Sequence, residues 1–220
     1  MNPGDLLNSQ EQEEQMNKIF GVVIGIVTDN KDEEKLGRVK LSFPWREESD
    51  QSQWARVAAF MAGKNRGAFF LPEVGDEVLV AFDRGEIDHP YVICSLWNGK
   101  DTPPEKNDDG KNNIRKIRSR SGHEIVFNDD NEKKKEKVQI KTNGGHKVVL
   151  DDSAGKEKIE IVDKTGNNKM TIDSVKNSIE IECDMELKIK ANKVEIEGTG
   201  SLTLKSSGVV TIQGMPVKIN

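Results

Sequence analysis

A repeat that shortens toward the C-terminus constrains the fold of this chain more than any other feature of its sequence. From about residue 114, strand-like segments recur, and Val138, Ile159 and Ile179 begin matching repeat units at nearly equal spacing. From Leu187 onward the repeat units are less than half as long, and the segments LKIKA, VEIEG, LTLKS and VTIQG follow one another closely. A fixed short repeat is typical of a solenoid or fibre, in which no unit folds alone. We therefore expect stacked strands in this half of the chain.

The shortest repeat units alternate apolar and polar residues, which is the period of a β-strand. We predict that the inward face carries the apolar residues Ile189, Ala191, Val194, Ile196, Leu202, Leu204, Val210 and Ile212. The outward face is polar and mixed in charge, with Lys188, Lys190, Glu195, Glu197, Thr203, Lys205, Thr211 and Gln213. Each repeat unit thus offers only about two inward apolar side chains to a core.

The free energy gained by burying apolar side chains within one chain is too small to keep such a repeat unit folded. Two buried side chains contribute roughly 1.5 to 3 kcal/mol each, whereas ordering the backbone costs roughly 1 to 2 kcal/mol per residue. Unpaired strand edges also favour association. We predict that three identical chains wrap around one axis, each supplying one side of a triangular cross-section. A single-chain β-helix is the competing prediction, but its turns usually need about 20 or more residues each.

Composition divides the chain into four regions. Residues 1–17 are rich in Gln and Glu and predict a flexible arm. Residues 18–98 contain five strand-like runs with Gly and Pro between them, which predict a small barrel. Residues 99–113, GKDTPPEKNDDGKNN, lack periodicity and predict a linker. Residues 114–220 form the β-repeat.

Charge and targeting signals argue against several function classes. The 38 acidic and 33 basic residues give a net charge of −5, so no strong positive field for nucleic acid is expected. The N-terminal sequence lacks the pattern of a signal peptide, and no apolar run approaches the roughly 20 residues that cross a bilayer. We therefore expect the protein to be assembled in the cytoplasm.

The barrel segment resembles a known family. The stretches GVVIGIVTDNKDEEKLGRVKLSFPW, QWARVA and LPEVGDEVLVAFDRGEIDHPYVICSLWN are similar to the oligosaccharide/oligonucleotide-binding (OB) domain of contractile-tail spikes. That family includes phage baseplate assembly protein V, the valine-glycine repeat spikes of type VI secretion and the spikes of extracellular contractile injection systems. The resemblance implies an all-β fold, with an N-terminal OB barrel followed by a C-terminal intertwined trimeric β-helix, the needle.

The resemblance also implies a function and partners. It implies a homotrimeric structural spike of a phage tail or a phage-tail-like particle, which punctures the target envelope and contacts the target membrane only then. A separate baseplate hub protein is expected at the OB end, because the chain is too short to include the hub domains of type VI spikes. The segment 151–220 lacks histidine, unlike the metal-binding apex of some phage spikes. We expect a platform for a separate PAAR-like tip protein at Met215, Pro216, Val217, Lys218, Ile219 and Asn220.

The alternative function is a trimeric OB adaptor that binds single-stranded nucleic acid or glycan. Such sites combine stacking aromatic residues with a basic groove. We expect that basic residues do not cluster around the candidate aromatic residues and that these pack in the core or between copies: Trp45, Trp54, Phe69, Phe70, Tyr91 and Trp97. No nucleic-acid partner is therefore predicted.

Catalytic and metal-binding chemistry has little support in the sequence. The carboxylate pairs Asp129/Asp130 and Asp151/Asp152 lie in charged turns, where such residues usually solvate the turn. His123 and His146 occupy matching repeat positions and could form a ring of ligands on the three-fold axis, but neither has a further His or Cys ligand nearby. We predict no enzyme activity, metal site or cofactor.

Overall fold

The computed structural model describes residues 18–47 and 50–218. The predicted arm, residues 1–17, and the last two platform residues, Ile219 and Asn220, lie outside the described residues. The chain divides into two compact parts, Met1–Lys106 and Asn107–Asn220, which we call the barrel part and the sheet part. In the described ranges, no helix has the length and apolar character that a membrane span requires.

The described residues of the barrel part form seven strands. They are β1 (Val22–Asp29), β2 (Arg38–Ser42), β3 (Ala55–Val57), β4 (Ala62–Gly63), β5 (Arg66–Gly67), β6 (Glu77–Phe82) and β7 (Pro90–Ser95). Five of them close into a barrel in the order β1-β2-β3-β7-β6, and β4 and β5 form a separate hairpin. The barrel pairs are antiparallel except for β3 with β7. The five strand-like runs of the sequence are these five barrel strands, so the predicted all-β class with an N-terminal barrel is confirmed.

Alternation in the barrel strands fills one small core. In β6, the side chains of Val78, Val80 and Phe82 are buried, whereas the residues between them are half-buried. Gly25 in β1 faces this core, because a Cβ there would lie 3.0 Å from Cγ2 of Val80. A glycine is therefore needed where β1 crosses the core. The core residues are Val27, Val39, Leu41, Phe43, Ala55, Val78, Val80, Phe82 and Val92.

Between residues 107 and 218, the sheet part forms one antiparallel sheet in which each strand pairs with its neighbours in chain order. Its strands are β8 (Ile114–Arg118), β9 (Glu124–Asn128), β10 (Lys137–Lys141), β11 (Lys147–Asp151), β12 (Lys158–Val162), β13 (Lys169–Asp173) and β14 (Ser178–Glu182). Each long repeat unit of the sequence is thus one hairpin. The strands within residues 114–182 pair with one another in the same chain. The prediction that chains intertwine therefore applies to the residues after 182.

Residues 183–218 contain no strand. The sequence predicts three short strands in VEIEGTGSLTLKSSGVVTIQG, residues 194–214. A strand requires a hydrogen-bonded neighbour, and among the described residues none pairs with this segment. The intertwined β-helix therefore remains a prediction about the assembly of several copies.

Candidate assembly interface

The register of the seven-stranded sheet places most of its large apolar side chains on one face, which we call the apolar face, and Ile114, Val126, Val149 and Val162 on the other. Residues directly opposite each other in neighbouring strands share a face. One row across the sheet is Ile117, Ile125, Ile140, Val148, Ile161, Met170 and Ile181. The other row is Phe127, Val138, Leu150, Ile159, Ile172 and Ile179, and it begins with Arg115 in β8. The apolar face thus consists of two continuous rows.

The apolar face is open in the single chain. Ile161 in the interior strand β12 is 52% exposed, which is unusual for the centre of a sheet, and Ile179 in the edge strand β14 is 66% exposed. The opposite face is mainly polar and better covered, with Glu160 and Thr171 half-buried in its central row. Monomeric proteins rarely expose an apolar patch larger than a few hundred Å². The apolar face is therefore a candidate contact surface.

The predicted needle-core residues are also exposed in the single chain. The exposed fraction is 52% for Val194 and 68% for both Ile189 and Leu204. Ala191 is exposed as well. The same holds for the other predicted positions, Ile196, Leu202, Val210 and Ile212. Their assignment to a trimer core stays a prediction.

The described part of the C-terminal platform is exposed. Met215 is fully exposed and Val217 is 47% exposed, and Pro216 and Lys218 are exposed beside them. These four residues follow the repeat directly. Binding of a tip protein there stays a prediction.

A second apolar surface lies on the barrel part. The hairpin of β4 and β5 and the loops beside it border a groove of about 1030 Å³, together with Leu36 and Ile93. Phe60 is 87% exposed, and Phe69 and Phe70 are also exposed. Phe69 and Phe70 do not belong to the barrel core, and packing of these residues between copies stays a prediction. The groove is therefore a second candidate contact surface.

The expectation that basic residues avoid the aromatic residues of the barrel is wrong. The guanidinium carbon of Arg38 lies 5.8 Å from the ring centre of Trp54, and Nζ of Lys40 lies 5.2 Å from it. Arg56 lies 5.7 Å from the ring centre of Tyr91. These residues are distant in sequence, but strands β2, β3 and β7 bring them together. Cation–π contacts of this kind stabilise surface aromatic residues and also occur at polyanion sites.

The paired carboxylates lie at strand ends, and Asp151 is the last residue of β11 rather than part of a turn. Asp129 forms an ion pair with Arg115 in the neighbouring strand. Burial disfavours the charged form of Asp151, but hydrogen bonds from Ser153 and the nearby charges of Lys137 and Lys158 outweigh this and lower its pKa. A carboxyl group with a lowered pKa stays ionised at neutral pH and is a poor general acid.

The two repeat histidines do not form a metal centre in the described structure. Nδ1 of His123 accepts a hydrogen bond of 3.2 Å from the backbone N–H of Asn143, in the turn that also contains His146. This bond occupies a potential ligand atom of His123. No group of three potential metal ligands occurs among the residues that the structure describes.

The free cysteines are surface residues. Cys94 lies in β7 and Cys183 directly follows β14, and both thiols are exposed.

Comparison with known proteins bears on the barrel part. Residues 23–97 match the family described as the type VI secretion system/phage-baseplate injector OB domain. This segment is an injector OB domain. The segment begins in β1 and includes every strand of the barrel, so the resemblance to contractile-tail spikes is confirmed for this domain.

Individual relatives of the OB domain include spike proteins and a toxin. The chain is 36% identical over 88 residues to the type VI secretion system spike protein VgrG1a of Pseudomonas aeruginosa, a match that covers 38% of this chain and 14% of that protein. It is 34% identical over 95 residues to the spike protein VgrG3 of Vibrio cholerae, covering 40% of this chain and 9% of that protein. A third relative, 33% identical over 95 residues, is the actin cross-linking toxin VgrG1 of Vibrio cholerae, with the same coverage. The matched segment thus spans only a small part of these relatives.

Proposed function

We propose that this protein is the structural spike of a contractile injection machine and that it acts as a homotrimer. The observation that carries the proposal is the open apolar face that follows an injector OB domain in the same chain. Three copies would enclose their apolar faces and their needle residues around one axis. Each chain then supplies one wall, and burial compensates for the small core of a single copy.

The trimer competes with two other states. Two copies could cover the same apolar faces as a sandwich of two sheets, and one copy could keep its face open. The short repeat units that begin at Leu187 favour three copies, because each is long enough for only one side of a triangle. The solution mass therefore tests the proposal directly.

Multi-angle light scattering of the purified full-length chain, with a truncated chain that ends at Gly110 beside it, is the deciding experiment. The proposal requires a full-length particle of about three times the 24.6 kDa chain mass that survives dilution. A folded monomer or a dimer would overturn it. The truncated chain shows whether the barrel part alone determines the assembly state.

We further propose two protein partners in the baseplate. A hub protein would hold the OB end, and the exposed residues Phe60, Phe69 and Phe70 are suited to contact it. A PAAR-like protein would sit on the platform formed by 215–220. A photo-crosslinker at Met215 should capture the tip protein encoded with this spike, and the same crosslinker at Val22 on the barrel should not. Capture from Val22 but not from Met215 would contradict the assignment of residues 215–220 as the platform.

In this proposal the spike acts mechanically and without enzymatic activity. It would be assembled in the cytoplasm, become part of a phage tail or a tail-like particle, and touch the target membrane only while puncturing it. Adjacent strands bonded along their length resist separation, since pulling one strand out breaks hydrogen bonds on both sides. A particle that lacks this chain should assemble no functional injector, and a variant that forms the trimer should restore it.

A second candidate function is suggested by the cation–π contacts on the barrel. Trp54 and Tyr91 are half-buried beside Lys40 and Arg56, a combination that also occurs in OB domains that bind single-stranded nucleic acid or glycan. Fluorescence anisotropy with a labelled single-stranded oligonucleotide would detect such binding. Salt-sensitive binding that Lys40→Glu abolishes would favour the adaptor function over the spike.

A further inference from the structure

The groove on the barrel part combines apolar and basic side chains. Its lining includes five exposed apolar side chains: Leu36, Phe60, Phe69, Phe70 and Ile93. Its charged lining consists of Lys35 and Arg66, and Lys64 lies beside them at the tip of the β4–β5 hairpin. Among the described residues no acidic side chain lines the groove, although the whole chain has a net charge of −5. The groove is therefore suited to an apolar segment that carries negative charge.

The basic side chains of the groove have no acidic partner within the described ranges. Lys35, Lys64 and Arg66 are exposed and form no ion pair there. Arg66 lies across the hairpin, because a Cβ at Gly63 would be 2.6 Å from its Nε. Unpaired cations beside exposed aromatic rings attract an anionic ligand. Their charge is thus available to a segment that docks in the groove.

The N-terminal arm, residues 1–17, has the complementary composition. Its sequence MNPGDLLNSQEQEEQMN contains no lysine or arginine and the adjacent apolar pair Leu6 and Leu7. Its acidic residues are Asp5, Glu11, Glu13 and Glu14. The arm therefore matches the groove in both apolar character and charge.

The arm joins the barrel close to the groove. The backbone N–H of Ile19 donates a hydrogen bond of 2.9 Å to the carbonyl oxygen of Gly85, which fixes the start of the barrel part. Strand β1 follows, and only β6 separates it from β7, whose Cys94 lines the groove. Two strand spacings amount to about 10 Å, whereas the twelve residues 7–18 can span roughly 40 Å. The leucine pair can therefore reach the groove.

We propose that the arm of each chain docks in the groove of its own barrel, with its leucine pair against the phenylalanines and its glutamates near the basic side chains. A tethered segment is present at an effective concentration in the millimolar range, so a dissociation constant of about 1 mM is sufficient for half occupancy. A separate partner of equal affinity would need a similar concentration to compete. Tethering thus favours the arm as the occupant.

The docked arm goes beyond the proposed spike and needs no second copy of the chain. The hub proposed above would contact the same phenylalanines, so it would have to displace the arm; this step alone rests on the proposed function. The arm would keep the exposed rings of the groove from other apolar surfaces before the hub binds.

Carbodiimide crosslinking of the unaltered full-length chain tests the docking directly. The reagent joins carboxylates to amines in contact, so links from the glutamates at 11–14 to Lys35 or Lys64 are expected. Denaturing gel electrophoresis separates links within a chain, which keep the 24.6 kDa mass, from links between chains, which at least double it. The absence of links to both lysines, or links between chains only, would overturn the proposal.

Cys94 provides a second readout, because it lines the groove and its thiol is exposed. In a full-length chain with Cys183→Ser it is the single cysteine. An arm that occupies the groove slows the reaction of this thiol with a neutral maleimide. We expect labelling about threefold or more faster once the arm is released.

Substitution of the leucine pair should release the arm. Leu6→Asp with Leu7→Asp removes the apolar contact and should speed the labelling of Cys94. The matched control, Asn8→Asp with Ser9→Asp, adds the same charge beside the leucines and should not speed it. Circular dichroism of each variant separates release of the arm from unfolding. Equal labelling rates for the leucine variant and its folded parent would overturn the proposal.

Charge reversal tests the basic side chains of the groove. Glu11→Lys with Glu13→Lys and Glu14→Lys should also speed the labelling of Cys94. The rescue chain adds the opposite reversals on the barrel: Lys35→Glu, Lys64→Glu and Arg66→Glu. Labelling should then return toward the slow rate of the parent, and about 1 M salt should weaken both effects. No rescue would overturn the assignment of these side chains.

Failure of this proposal is distinguishable from failure of the proposed spike. A monomeric full-length chain would remove the proposed trimer and would leave both readouts in force, because each reports on a single chain. A trimer in which every variant labels at the same rate would remove only the docked arm.

Discussion

Arg38 holds the carboxylate of Asp32 through two hydrogen bonds, of 2.9 Å from Nε and 2.8 Å from Nη2. The same carboxylate accepts hydrogen bonds from the backbone N–H groups of Glu34 and Leu36, and its side chain is only 3% exposed. These contacts close the loop between β1 and β2. They join a residue of the motif DNKD to a residue of the motif GRVK, so both motifs of the OB domain serve one loop.

Replacement of Asp32 by asparagine should lower the stability of the barrel. The hydrogen bond from Arg38 is the main cause of the low pKa of Asp32, with backbone hydrogen bonds assisting and burial opposing it. A carboxyl group whose pKa is depressed by folding stabilises the fold above its unfolded pKa of about 3.9 and loses that contribution at lower pH. We therefore expect the thermal midpoint of the unaltered protein to approach that of Asp32→Asn between about pH 4 and pH 2.

Thermal unfolding followed by circular dichroism at several pH values checks this prediction. The matched control is Glu33→Gln, an exposed carboxylate in the same loop. The control should follow the unaltered protein at every pH. Equal midpoints for Asp32→Asn and the unaltered protein at neutral pH would show that the pair contributes no stability.

Two adjacent residues of β10 offer a direct test of the apolar face. Ile140 lies on that face and is 48% exposed, whereas Gln139 points to the polar face. Ile140→Asp should dissociate the proposed trimer, because three buried carboxylates would meet in its core without partners. Gln139→Asp should leave the solution mass unchanged. Light scattering of both variants decides the matter, and an intact Ile140→Asp trimer would exclude this face as the interface.

We expect the stability of the barrel to depend on the absence of a Cβ atom at Gly25. A Cβ at this position would meet Cγ2 of Val80 at 3.0 Å and the ring of Phe43 at 3.5 Å. Gly25→Ala should therefore destabilise the barrel by about 1 to 3 kcal/mol, the usual cost of overpacking. Gly99→Ala, where a Cβ has no neighbour within 4 Å, is the control. Denaturant titration of both variants measures the difference, and equal midpoints would mean that β1 can shift to make room.

A chain truncated after residue 113 should fold on its own. All nine core residues of the barrel lie before this point, and the barrel strands pair only with each other in the described structure. We expect a soluble product with a cooperative unfolding transition and the β-type circular dichroism of a small barrel. An insoluble or unfolded product would show that the barrel needs the sheet part, in contrast to the division of the chain into two compact parts.

Much of the fold is predictable from alternation and turn residues alone. The run DEVLVAF becomes β6 because every second residue fills the core, and the spacing of Val138, Ile159 and Ile179 becomes the hairpin repeat of the sheet. The contacts of Trp54 with Arg38 and Lys40 were not predictable in this way. They depend on which strands become neighbours in the barrel, and this is a property of the whole fold.

The apolar face of the sheet also could not be predicted in full from the sequence. The sequence predicts that the apolar residues between Ile189 and Ile212 face a narrow core, but it does not indicate the open surface that precedes them on β8 to β14. That surface requires the register of six strand pairs, which fixes residues far apart in sequence into two rows. Whether a strand pairs within its chain or with another chain depends on the concentration and geometry of both partners.

Because the sheet consists of repeated hairpins, deletion or duplication of one hairpin would change its length by a fixed amount. One hairpin with its turns, such as residues 137–157, leaves and re-enters the sheet at equivalent positions, since Lys137 and Lys158 begin strands that run in the same direction. Loss or duplication of such a segment would preserve the two apolar rows and change the sheet by two strands, or about 10 Å. A chain built in this way could adjust its reach without redesigning either end.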